Sequence, residues 1–168
     1  MILPAVLFFL FATPQLMAAL NDANAMKIPN RIPLIVLAAY FAMVPFTWVG
    51  FPMFLEHMTV GTVVFALGFA MFAFGWMGGG DAKLLAATAF WFTWSDAFAY
   101  MIWTAIFGGA LTLFILLGRS YIPARVITTQ WAQTMFKDET KIPYGLALAA
   151  GAIAVLPSSQ MFKAALSF

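Results

Sequence analysis

Apolar runs of about membrane length, separated by short polar patches, constrain this chain more than any other feature. A spanning helix needs about 20 mainly apolar residues, and the 168 residues leave room for roughly six such helices and little else. Only 8% of the residues are charged while 64% are hydrophobic, against about 25% charged in a soluble domain. The expected fold is therefore an all-α integral membrane protein of about six transmembrane helices, a single transmembrane domain over residues 1–168.

The first span is predicted over Met1 to Leu20. With Ala23-Asn24-Ala25 behind it, this stretch has the outline of a secretory signal peptide and its cleavage site. Its positive charges, Lys27 and Arg31, follow the apolar run instead of preceding it, as for a first span whose C-terminal end is cytoplasmic. Pro33 is predicted to open a second span reaching about Gly50, since proline is tolerated in a first helical turn, and Pro45 to bend it. Glu56 and His57 fall in the following short loop as solvated charges. The third span runs from about Thr59 to Met77 and sets Gly61, Gly68 and Gly75 on one face, suited to close helix contact.

A fourth span from about Ala82 to Trp94, broken by Ser95 and Asp96, is shorter than a bilayer core needs. With Trp91 and Trp94 as outer interfacial anchors, its beginning is recessed below the cytoplasmic surface. The fifth span runs from about Ala97 to Leu117. The long polar loop after it spaces Ile127, Trp131 and Met135 four apart, as in an amphipathic helix lying on the membrane or serving as a lid. A last short span, Pro143 to about Leu156, is closed by Pro157 before a polar tail containing Lys163.

On this arrangement Lys27, Arg31, Lys83, Arg119, Arg125, Lys137 and Lys141 share one side, leaving Lys163 alone on the other. The positive side is cytoplasmic, so both termini are expected to face outward, on the periplasmic side. Asp22 and Asp81 then share the cytoplasmic side, and Glu56 and Asp96 are unpaired acids on the opposite face. The formal charge of +2 speaks of orientation and implies no nucleic-acid partner. The chain has no cysteine and one histidine, so no metal centre and no cofactor is expected.

Gly78-Gly79-Gly80-Asp81-Ala82-Lys83 is a polar knot between two apolar stretches. Ionisable residues at membrane depth mark reaction sites, ion paths or paired structural charges. Three glycines remove the side chains that would keep a substrate from that carboxylate. The plainer alternative is a flexible turn with a solvated Asp and Lys.

These residues, together with Asp22 and the downstream Ile28-Pro29-Asn30, resemble the type IV prepilin peptidase family. The upstream Asp with its Ile-Pro-Asn and the Gly-x-Gly-Asp-x-Lys pattern of Gly78, Gly80, Asp81 and Lys83 both match. Ile142-Pro143-Tyr144-Gly145 is similar to a third family segment, through Pro143 and Gly145. The resemblance implies an inner-membrane aspartic peptidase with Asp22 and Asp81 catalytic, removing short basic leaders from prepilins and pseudopilins. Long family members add a cytoplasmic segment with paired cysteines and methylate the new N-terminus. This chain instead looks like the short, peptidase-only form associated with the Tad (tight adherence) Flp pilus machinery. Presenilins and signal peptide peptidases share the Gly-x-Gly-Asp logic, but here Asn21, not a tyrosine, precedes the first Asp, and their Pro-Ala-Leu segment is absent.

Hydrolysis by two carboxylates needs one ionised to activate water and one protonated to polarise the scissile carbonyl. For Lys83 the expected role is an interfacial charge, with binding a backbone carbonyl or tuning Asp81 as the minor alternative. Asn30 and Pro29 are expected to fix the start of the second span. A small ion- or proton-coupled carrier would use the same acids as a relay, with a route to both faces and often repeated halves. A non-catalytic subunit of an envelope assembly is a third class.

Overall fold

The computed structural model describes residues 2–48, 50–121 and 142–167. Every regular element among them is helical. They are α1 (Ile2–Ala25), α2 (Arg31–Met43) with a 3-10 turn at Val44–Phe46, α3 (Phe51–Ala73), α4 (Gly79–Ala89) and α5 (Trp94–Tyr121). After the gap come α6 (Tyr144–Val155), a second 3-10 turn at Leu156–Ser158, and α7 (Gln160–Leu166). In lipid the backbone must satisfy its own hydrogen bonds, which helices do within one segment.

By length and composition α1, α3 and α5 are able to cross a membrane, and α6 with α7 forms a fourth candidate bent by 46°. This is a multi-pass membrane protein. Its outer surface is apolar: Phe9, Phe65, Phe69, Ile106 and Phe114 are all more than half exposed, a distribution suited to lipid and costly in water. Inside, α6 packs against α5 and α1, α2 bridges α1 and α4, and α3 lies against α4. An aromatic cluster fills one end of the core. Phe11 meets Trp91 edge-on at 4.9 Å, and Tyr40 and Phe92 flank that pair at 5.9 Å. Each such ring pair contributes about 0.5–1.5 kcal/mol beyond its buried area.

Helix ends follow local chemistry. Gly75, at φ 74°, ends α3 with hydrogen bonds from Gly75 N to Phe72 O and Trp76 N to Met71 O, the left-handed cap that glycine favours. Gly61 and Gly68 do admit a neighbour, the Phe90 ring and the Ala82 backbone respectively. Gly75 lies beyond that face, with nothing within 4 Å of where its side chain would be.

Several expectations need correction. Pro45 does not bend a continuing helix; α2 stops at Met43 and Pro45 sits in the 3-10 turn, because proline donates no N–H. Glu56 and His57 lie inside α3, and His57 is buried; Pro52 in the first turn starts that helix earlier than the polar pair suggests. Trp91 is no interfacial anchor. It is wholly buried and donates its Nε1–H to the Val36 carbonyl at 3.0 Å.

Ser95 and Asp96 begin α5 instead of breaking α4. Thr93 and Asp96 form a reciprocal cap, each backbone N–H donating to the other's side chain at 3.4 Å, with Thr93 Oγ1 also donating to Asp96 Oδ2 at 2.9 Å. Asp96 accepts from Gln160 N as well, and Glu56 accepts from Trp94 N at 3.0 Å, so neither acid is unpaired. The tail containing Lys163 is helical, with Met161 and Ala165 buried. The expected amphipathic helix through Ile127, Trp131 and Met135 lies outside the described residues.

Candidate active site

Three helix ends converge on one polar cleft. α1 delivers Asp22 in its last turn, buried at 6% exposure. The helix ends at Ala25, and Met26 takes φ 50°, a left-handed conformation that costs a side-chain-bearing residue about 1–2 kcal/mol. That reversal leads into the segment holding Ile28, Pro29 and Asn30, directly before α2. α4 delivers Asp81 in its first turn, after Gly78 has started the helix from an extended backbone.

The glycines fit this meeting of backbones. A Cβ on Gly80 would lie 3.0 Å from Ile28 Cβ and 3.3 Å from Ile28 N and O, so only glycine lets the 28–30 segment rest on the start of α4. A Cβ on Gly78 would stand 2.9 Å from Asp81 Oδ2. Lys83 does not reach toward Asp81; its Nζ donates to Asn30 Oδ1 at 2.8 Å, joining the two segments across the cleft's margin.

α6 supplies the third end. Pro143 is its N-cap, and Gly145 N donates to Asp22 Oδ2 at 2.7 Å. The first backbone N–H groups of a helix have no partner inside it, so Asp22 satisfies one of them from another helix. Here too a side chain would intrude, 2.8 Å from both Asp22 Oδ2 and Ile28 Cδ1.

Asp22, Asp81, residues 26–30 and the three glycines line one cleft of about 550 Å³. The two carboxyl groups share that cleft, and among the described residues no hydrogen bond reaches the Asp81 carboxylate. Ile28, Pro29, Asn30, Gly78, Gly80 and Gly145 thus gather around the two acids, with Lys83 held to Asn30 and Pro143 at the head of α6. Sequence reasoning passed over Gln15 and Thr88, both wholly buried and joined by a hydrogen bond from Gln15 Nε2 to Thr88 Oγ1 at 2.7 Å. The available signal was an amide in the middle of an apolar run. Among the described residues no three metal-ligating side chains converge.

A helical membrane bundle carrying two carboxylates in one cleft built from glycine backbone has the makings of an intramembrane aspartic peptidase. The model of the type IV leader peptidase family matches residues 4–113, and the chain belongs to that family. Membership implies an aspartic peptidase with prepilin-type substrates. The matched region contains both aspartates and ends before Gly145, which the fold brings to them. Neither the curated proteins nor the solved structures gave a match.

Proposed function

We propose that this chain is an aspartic endopeptidase, a single transmembrane domain that removes the short basic leader of type IV or Flp-type prepilins and pseudopilins at the cytoplasmic face of a bacterial inner membrane. The observation that carries this reading is the shared cleft of Asp22 and Asp81, with Asp22 fixed by the Gly145 amide. Two acids this near share one proton, because both do not readily ionise together. The ionised one takes a proton from a water in the cleft. The protonated one donates to the scissile carbonyl oxygen, and the resulting tetrahedral centre collapses as the leaving amine gains a proton.

The six-span arrangement, with both termini periplasmic, makes α2 and α4 short crossing segments. α4 has 11 residues, about 16 Å at 1.5 Å per residue, so Asp81 at its head is recessed and reached through the cleft. Nothing favours the carrier: both acids sit at one end of the bundle. The test is a cleavage assay on full-length protein in lipid with a synthetic prepilin-type peptide. Asp22→Asn and Asp81→Asn are each expected to lower kcat by about 10²–10⁴-fold, and their combination to be little worse than either, as for residues acting as one unit. Full cleavage by either folded variant refutes the assignment.

A further inference from the structure

α1 and α4 run in opposite directions past one another, and the acids are one of two rungs between them. Asp22 and Asp81 face the same cleft. Seven residues back along α1 and seven forward along α4 stand Gln15 and Thr88, hydrogen-bonded at 2.7 Å. Four residues further on, Phe11 on α1 meets Phe92, which lies just beyond the end of α4, with ring centroids 5.9 Å apart. Seven residues are close to two helical turns, so Gln15 lies on the same face of α1 as Asp22, about 10 Å along the axis, and Thr88 stands likewise to Asp81. The seven-residue spacing is the same on both helices, which therefore keep one register from the Gln15–Thr88 bond to the acids.

Apolar side chains alone set that register loosely, since a ring or a leucine packs nearly as well after a small axial slide. A hydrogen bond does not tolerate such a slide. Gln15 and Thr88 are both wholly buried, away from bulk solvent and the lipid surface, and Tyr100, also buried, stands beside Thr88. α1 and α4 are held apart largely by α2 and α6, which pack on both, so this polar rung is their direct tie.

We propose that Gln15 and Thr88 are positioning residues: their hydrogen bond pins the axial register of α1 against α4 and thereby sets the separation of the Asp22 and Asp81 carboxyl groups. This rests on the peptidase reading above, and its test separates the two. The assay uses full-length protein in lipid vesicles and a synthetic peptide carrying a short basic leader before an apolar segment. It compares the parent with Gln15→Leu, Thr88→Val, the double variant, Thr88→Ser and, as a control, Asp81→Asn, with thermal unfolding confirming the fold of each.

Gln15→Leu and Thr88→Val are expected to lower kcat by about ten- to a hundredfold, as misplacement on the order of 1 Å does, with KM within about twofold. The double variant should match the worse single one, and Thr88→Ser, which keeps the hydroxyl, should restore the parental rate to within about twofold. The limbs of the pH profile of kcat/KM should draw together, because the gap between the pair's two apparent values reflects their coupling. The other titratable groups near the pair, Lys27 in the cleft, Lys83 on Asn30 and Tyr100 on α5, are the same in the parent and in Gln15→Leu and Thr88→Val.

Parental kcat in either folded variant overturns the pin. So does multiplicative loss in the double variant, or loss with unshifted pH limbs and no recovery in Thr88→Ser, which marks a merely structural role. Should Gln15→Leu not fold, Gln15→Asn, one methylene shorter, must still lower kcat, and a parental rate there overturns the proposal. Cleavage by Asp81→Asn refutes the peptidase reading itself and removes the pin with it.

Discussion

The two ends of the bundle each carry a pair of acids and use them oppositely. At the aromatic end Asp96 accepts from Thr93 and from Gln160 N, and Glu56 accepts from Trp94 N. Those carboxylates accept backbone N–H groups from the starts of α5 and α7, and neither lines the cleft at the other end. At the other end Asp22 takes one backbone N–H, no described donor reaches Asp81, and both face about 550 Å³ of open space. A buried acid is thus not in itself a reactive one. What separates the ends is whether the backbone arrives as hydrogen-bond donors that finish the carboxylate, or as glycines that leave room beside it.

The sharpest way to break that contrast is Gly145→Ala. The added methyl meets Asp22 Oδ2 and Ile28 Cδ1 at 2.8 Å, so leader cleavage should fall about a hundredfold in a protein that still folds. Gly109→Ala, whose methyl meets nothing within 4 Å, should cleave at the parental rate. Equal effects from the two would show that room beside Asp22 is irrelevant.

Next in size is Asp96→Ala. Removing an acceptor that serves Thr93 and Gln160 N should lower stability by about 1–3 kcal/mol, measured by denaturation in detergent, while kcat of the folded fraction is unchanged. A drop in kcat at full stability would erase the distinction between the two ends. The smallest effect is expected from Lys83→Met, which breaks the exposed bond to Asn30. A net contribution near 1 kcal/mol translates into no more than about a fivefold change in kcat/KM, and a loss of orders of magnitude would place Lys83 in the chemistry.

Charge in an apolar setting is legible from sequence, and that is why Asp22 and Asp81 stood out. The glycines at 78 and 80 were legible too, because few other residues suit so close a meeting of backbones. Partnership was not. Trp91 has the look of an interfacial anchor until α2 places the Val36 carbonyl, 55 residues away, beside its indole. Glu56 and His57 have the look of a solvated loop until the N-terminus of α5 comes against them, 38 residues on. Each of these errors concerns a polar group whose partner lies on another helix, and no local pattern names that helix. The ends of α3 were missed for a more local reason: Gly75, counted with a packing face, instead caps the helix, and Pro52 lets it begin at Phe51, ahead of the expected Thr59.

The hydrogen bond from Gly145 to Asp22 joins residues 123 positions apart, and this sets a timetable for the newborn protein. While the ribosome is still inserting α1 to α5, both aspartates are already in the bilayer, yet the amide that orients Asp22 has not been delivered. Asp22 gains that partner only when α6 docks against α1 and α5. A nascent chain halted after α5 would therefore carry both acids without the amide that holds Asp22.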